Sequence, residues 1–228
     1  MGDGERRKEV DFQIARPLGA IVPAAGESRR MGTLKQLLPW ADGRTILETV
    51  LFKLARPPVV QLIVVLGHEE KTVRQRLEDG PLGQLFQRER WRPAGGPAVR
   101  GEMVINPAYQ RGMLSSIKAG LTRLEATLDG FLLCPGDHPA FSLRTVEELV
   151  RVFTTGPAAI VIPTYRGRRG HPAVFARRFV AEIMDLPEEL GLRELSRRHP
   201  EEVREVDLDD PGILTDLDHP EDYARFRP

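Results

Sequence analysis

Short apolar runs alternate along this chain with stretches in which apolar residues recur at helical spacing. Ala20-Ile21-Val22, Val59 to Leu66, Glu102 to Ile105, Gly130 to Cys134, Ala158 to Ile162 and Val203 to Leu208 read as strands. Between them, Thr45-x-x-Glu48 is a capping box, and it opens a helix with Ile46, Leu47, Val50, Leu51 and Leu54 on one face. Pro57-Pro58 stops that helix. His68 to Leu77 is a second helix with its charges toward water. Ser115 or Ser116 is expected to cap a third, and Ser142 caps a fourth running through Phe153. Tyr165 to His171 reads as a hairpin turn between Ile160 to Thr164 and Pro172 to Phe175. Residues 178–199 are helical in two pieces broken near Pro187 to Gly191, and Pro220 suits the first turn of a terminal helix.

Strands alternating with helices predict a single α/β domain, a three-layer Rossmann-like sandwich with a mostly parallel sheet. Two stretches fall outside the pattern. Residues 1–17 are charged and aperiodic and read as a loose N-terminal extension, leaving 18–228 as the domain. Residues 79–100 mix glycine, proline and charge, so their centre reads as a surface insertion, with Trp91 as a packing lid or a partner contact.

At 228 residues and 41% hydrophobic content, the chain can bury a substantial core. Its 33 basic and 33 acidic residues balance, which argues against bulk attraction to nucleic acid or an anionic membrane. The expected partners are therefore small molecules or protein surfaces. Cys134, the single cysteine, sits in an apolar run and reads as a buried, reduced core residue. With no apolar stretch near the ~20 residues of a membrane span and no signal-peptide segment, the expected location is the cytoplasm.

Candidate chemistry begins where the first strand breaks, at Pro23-Ala24-Ala25-Gly26. Small residues let backbone N–H groups approach phosphate oxygens, and Ser28, Arg29, Arg30 and Lys35 follow to supply polar contact and charge. This is not a P-loop, because five residues separate Gly26 from Gly32 and Lys35 comes three after the second glycine. The dinucleotide fingerprint G-x-G-x-x-G is also missing. Pro135-Gly136-Asp137-His138-Pro139 follows another strand end, so the two loops can face one cleft beyond the carboxyl edge of the sheet.

Residues 24–35, AAGESRRMGTLK, resemble the signature of the MobA-like nucleotidyltransferases, and further segments resemble that family in order. These are Asn106 to Ser116 (N-P-x-Y-x-x-G-M-x-S-S), Leu133 to Pro139, Gly170-His171-Pro172 and Asp216 to Asp222. Together they carry the resemblance from about residue 18 to 226, and the details look most like the molybdenum cofactor cytidylyltransferases. The resemblance implies the nucleotide-diphospho-sugar transferase type of fold. It also implies transfer of CMP from CTP to the terminal phosphate of molybdopterin or molybdenum cofactor, with release of pyrophosphate. Guanylyltransferase and sugar- or polyol-phosphate transferase activities are the enzymatic alternatives. A cofactor carrier for a molybdenum hydroxylase apoenzyme is the non-catalytic one.

Joining two anions requires charge neutralisation, which Mg2+ held at hard oxygen ligands supplies. Asp137 is the first expected metal ligand. Asp216 and Asp218 lie on one side of an extended segment, and the motif favours Asp218 as the second. Arg29, Lys35 and Asp137 are the expected catalytic residues. Ala24, Ala25, Gly26, Ser28 and Ser115 join them around the nucleotide, and His171 is expected at the acceptor. Guanylyl-transferring relatives typically carry glycine where Ala25 stands, so its methyl group favours the smaller pyrimidine. His138 stands where the family more often has glutamine.

Overall fold

The structure is a computed structural model that describes residues 16–87 and 98–228. The centre of the expected insertion, Trp91 included, and residues 1–15 of the expected extension lie outside them. The strands are β1 (Leu18–Pro23), β2 (Val59–Leu66), β3 (Arg100–Ile105), β4 (Gly130–Leu133), β5 (Ile160–Tyr165), β6 (Arg168–Arg169), β7 (Ala173–Ala176) and β8 (Val203–Asp207). They form one sheet in the order β3-β2-β1-β4-β7-β5-β6, with β8 pairing β5. The β1–β2, β2–β3, β1–β4 and β5–β8 pairs are parallel. β7 runs antiparallel to both β4 and β5, and β6 antiparallel to β5. The sheet is thus mostly parallel, and the expected hairpin return after β5 places β7 between β4 and β5.

Helices α1 (Ile46–Leu54), α2 (Glu70–Asp79), α3 (Met113–Leu121), α4 (Leu143–Thr155), α5 (Val180–Asp185), α6 (Arg193–Arg198) and α7 (Pro220–Phe226) complete the fold. Leu18, Ala20, Ile21 and Val22 are all fully buried, so successive residues of β1 are covered on both faces of the sheet. Close packing is written into the glycines. A Cβ at Gly120 of α3 would stand 2.7 Å from Ile21 Cγ2 and 3.1 Å from Val65 Cγ2, so the helix lies directly on β1 and β2.

Local signals explain the helix starts. Thr45 accepts from Glu48 N at 3.2 Å while the Glu48 carboxylate accepts from Thr45 N at 2.8 Å, which completes the capping box. Ser142 accepts from Thr145 N at the start of α4, as expected. The expected cap of α3 is corrected by the structure. Its N-cap is Gly112, with φ +107°, and Ser115 and Ser116 lie inside the helix. Both hydroxyls accept from Asn106 Nδ2, at 2.9 and 3.0 Å, and Asn106 Oδ1 accepts from Ala108 N at 3.0 Å. The Asn-Pro motif therefore ties the end of β3 to the first turn of α3.

At the edges of the expected insertion, Leu82, Leu85 and Val99 belong to the core, so packed residues flank its centre. Arg16, in the expected extension, donates to Phe153 O at 2.5 Å and lies over the Phe153 ring. Cys134 is fully buried, as expected. Among the described residues, no helix is long and apolar enough to cross a membrane.

Candidate active site

The chain leaves β1 toward β2 on one side and returns to β4 on the other, which makes the carboxyl end of β1 a switch point in the sheet. The two loops identified from sequence meet there. Ala24 N donates to Val65 O at 2.8 Å, and Gly136 N donates to Pro23 O at 2.9 Å, so each loop is fastened to a strand end. A Cβ at Gly136 would lie 3.1 Å from that of Ala24, and one at Gly67 would lie 2.8 Å from that of Ala25. The Ala25 methyl group thus packs against Gly67 rather than standing free.

Past Gly26 the loop folds on itself. Ser28 takes a left-handed φ of +52°; its hydroxyl accepts from Lys35 N at 3.2 Å and donates to Gln36 Oε1 at 3.1 Å. That closure delivers Lys35 to the junction of two adjoining spaces. One is a cavity of about 300 Å3 lined by Ala24, Ala25, Gly26, Gln36 and Ser116. The other is an open groove of about 600 Å3 lined by Glu27, Arg29, Arg30, Gln110 and Asp218. Lys35 and Asp137 line both.

The Lys35 side chain is 12% exposed, and its ammonium group lies 2.7 Å from Asp137 Oδ2, 2.7 Å from Asp218 Oδ1 and 3.8 Å from Asp216 Oδ1. Burial works to lower its pKa, but Asp137 and Asp218 outweigh burial and raise it. Asp218 shows the reciprocal effect: the hydrogen bond from Lys35 holds its pKa below the ordinary value. Asp216 moves the other way, pushed up by burial and then by the charge of Asp137.

Asp216 and Asp218 do share a side of their segment, because Leu217 between them is fully buried in a small cluster with Trp40 and Ile46. Their partners differ. Asp218 also accepts from Arg30 Nη1 at 2.9 Å, whereas Asp216, Asp137 and His138 bring ligand atoms within 4.8 Å of one another. Asp137 Oδ1 is buried without a hydrogen-bond partner while Oδ2 holds Lys35, so Oδ1 is free to join His138 and Asp216 in a donor set that fits a divalent ion.

Among the other expected site residues, Arg29 and Arg30 both lie at the exposed rim, Arg29 paired with Glu27 and Arg30 reaching across to Asp218. Ser115 is buried and donates to Gly112 O at 2.8 Å, and its neighbour Ser116 lines the cavity. His171 sits behind the acidic residues, its ring edge-on to His138 with centroids 5.1 Å apart. Burial, then the neighbouring His138, lowers its pKa to about 4, so the ring is neutral near pH 7.

Three contributors carry no local sequence signal. Gln36 is 4% exposed, and its Nε2 has no hydrogen-bond partner. Lys53 Nζ donates to Pro139 O at 2.6 Å and Phe141 O at 2.7 Å, fixing the chain just after Asp137. Asp210 accepts from Ser142 N at 2.7 Å and Gly212 N at 3.0 Å, which joins the segment before Asp216 to that same loop.

A family model for the MobA-like NTP transferase domain matches residues 20–203. Over 208 residues the chain is 24% identical to the Escherichia coli K12 molybdenum cofactor cytidylyltransferase, covering 90% of this chain and 93% of that one. It is 30% identical over 184 residues to a probable molybdenum cofactor guanylyltransferase of Mycobacterium bovis, covering 79% and 78% respectively. The crystal structure of Rv0371c from Mycobacterium tuberculosis H37Rv superposes with a TM-score of 0.71 at 28% identity, over 92% of this chain and 97% of that one. That protein has also been solved in complex with manganese. The loop after β1, the cleft at the switch point and the family match agree: this chain belongs to the MobA-like NTP transferase family and is a nucleotidyltransferase.

Proposed function

We propose that this enzyme acts in molybdenum cofactor biosynthesis, transferring CMP from CTP to the terminal phosphate of molybdopterin or molybdenum cofactor and releasing pyrophosphate. The observation that carries the reading is the position of Lys35 and Asp137 where a small cavity meets a wider, charged groove. At about 300 Å3 the cavity is at the small end of ligand sites and suits a nucleoside, while the groove suits phosphates.

In this reading the backbone of Ala24 to Gly26 faces the nucleoside, with Ser116 and Gln36 available to its polar edges. Lys35, Arg29 and Arg30 offset the charge of the triphosphate and of the attacking phosphate. Asp137 and Asp216, with Asp218 beside them, would hold a Mg2+ ion, which when bound supplies Lewis-acid stabilisation of phosphate oxygens. Asp137 orients Lys35 through Oδ2. In this reading His171, neutral and largely buried behind Asp137, supports the acceptor side of the site without adding charge.

Transfer of GMP from GTP is the second reading, favoured by the 30% identity to the mycobacterial protein. The test is pyrophosphate release with Mg2+, molybdopterin and each of CTP, GTP, ATP and UTP. Release with CTP, abolished in Asp137→Ala, is the expected result. Preference for GTP would retain the chemistry and overturn the base assignment. Tight cofactor binding without turnover would point to a carrier instead.

A further inference from the structure

We infer that His138 is a third ligand of the metal site formed with Asp137 and Asp216, and that its imidazole makes the site favour Mn2+ over Mg2+. The inference rests on the proposed metal-assisted transfer and specifies the ion that this chain's own residues select.

Three observations carry it. His138 Nε2 lies 3.7 Å from Asp137 Oδ1 and 4.0 Å from Asp216 Oδ1. Both separations are too long for hydrogen bonds, and both are shorter than the ~4.3 Å that two ligands at about 2.1–2.2 Å can span across one ion. The three groups therefore converge on a common point without satisfying one another. Asp137 Oδ1 is buried and unpartnered, although the same carboxylate commits its other oxygen to Lys35. A buried carboxylate oxygen left bare beside an imidazole nitrogen is a costly arrangement unless a cation joins them. Finally, the imidazole is held in place. The His138 ring is 12% exposed, its backbone N–H closes a turn on Pro135 O at 3.3 Å, and the His171 ring packs edge-on against it. Lys53 pins the following carbonyls.

Ligand chemistry then sets the preference. Mg2+ takes oxygen ligands in a strict octahedron and binds imidazole poorly, whereas first-row transition ions accept imidazole alongside carboxylates. Two carboxylates and one imidazole keep the site hard enough for Mn2+ while adding a bond that Mg2+ uses badly. Removing the imidazole should leave a carboxylate site that binds either ion but discriminates less.

The test uses the full chain, first with Mn2+ alone and then with Mn2+ and CTP. Pulsed EPR should show modulation from a directly bound nitrogen in wild type and none in His138→Gln. Competition of Mg2+ against bound Mn2+ should show a wild-type preference for Mn2+ that falls on the order of tenfold in His138→Gln, the lower end of the range for weakening a metal site. Unchanged melting in EDTA would confirm that the variant folds. Were His138→Gln to melt earlier, the wild-type nitrogen signal and ion preference alone would decide. Absence of nitrogen modulation in both wild-type samples overturns the inference, as does an ion preference identical in the two proteins. If nitrogen is bound but no nucleotide turns over with either ion, the ligand assignment stands and the transfer reading fails. If nucleotide turns over without nitrogen coupling, the transfer reading stands and the ligand assignment fails.

Discussion

Replacing Lys35 with methionine keeps a side chain of similar length and removes the one charge that three carboxylates face. Breaking a buried ion pair by deleting one partner costs about 3–5 kcal/mol, because the remaining charge is left desolvated. Here water shares the load. Asp137 is 23% exposed and Asp218 38%, so the Asp218 pair contributes under about 1 kcal/mol and the Asp137 pair most of the rest. We expect a loss of about 1–3 kcal/mol, which lowers the melting temperature by roughly 2–10 °C for a chain of this size.

The pH profile separates this cause from lost packing. Lys35 has a folded pKa raised above 10.5, so its contribution is complete below that value and lost as pH rises through the raised one. Asp218 has a folded pKa below 3.8, so its contribution is complete above that value and lost as pH falls through the depressed one. The stability deficit of Lys35→Met should therefore be flat near neutrality and shrink in strong acid and strong base. Chemical denaturation in EDTA at several pH values measures it. Millimolar Mg2+ should restore more stability to the variant than to wild type, because an ion replaces the missing charge. Pyrophosphate release should fall about 10²- to 10³-fold, as for loss of one preorganised transition-state contact. Wild-type stability at pH 7, or a deficit undiminished in strong acid, would refute the electrostatic account.

Other outcomes follow from the same structure. A Cβ at Gly130 would sit 2.5 Å from Phe175 O and 2.9 Å from Phe153 Cζ; since that oxygen belongs to a paired strand, Gly130→Ala should cost about 1–3 kcal/mol in a denaturant titration. Burial raises the Cys134 thiol well above its ordinary pKa, so a thiol reagent at pH 8 should label it only after unfolding; prompt labelling of native protein would contradict the core assignment. Calorimetry should find CTP binding at least tenfold weaker in EDTA than with a divalent ion, on the order of one added charge contact.

Much of this architecture was legible because its signals are local. The Thr45–Glu48 box, the Ser142 cap and the apolar runs of β1, β2 and β4 each carry their cause within a few residues. The signature loop was legible too, since small residues beside basic ones have few structural uses. What escaped depends on long-range placement. Which of Arg29 and Arg30 reaches Asp218 follows from the left-handed turn at Ser28, and whether Ser115 caps a helix depends on Asn106 claiming its hydroxyl. The antiparallel insertion of β7 between β4 and β5 is a pairing choice that no hydrophobic period encodes. The motif favours Asp218 over Asp216 as the partner of Asp137; Leu217 in its pocket turns both toward the cleft, but Arg30 and Lys35 engage Asp218 while Asp216 lies with Asp137 and His138.

The charge balance at the cleft explains why these distinctions matter. Along the groove, Glu27, Asp137 and Asp218 set three carboxylates against the three cations Arg29, Arg30 and Lys35; Asp216, 3.8 Å from Lys35, adds a fourth acid beside them, and neutral His171 adds nothing. A groove whose cations are matched by acids attracts a triphosphate only weakly. One divalent ion held by these carboxylates would tip the balance toward attraction. Each basic residue is meanwhile held by an acid: Arg29 by Glu27, Arg30 by Asp218, and Lys35 by Asp137 and Asp218. In the proposed reaction, metal-bound nucleotide would let the carboxylates turn to the ion and the cations to the phosphates, so attraction would be switched on by that ligand pair rather than by any passing anion. On that proposal, a site built from paired charges would select metal and nucleotide together, which neither its acids nor its bases could achieve alone.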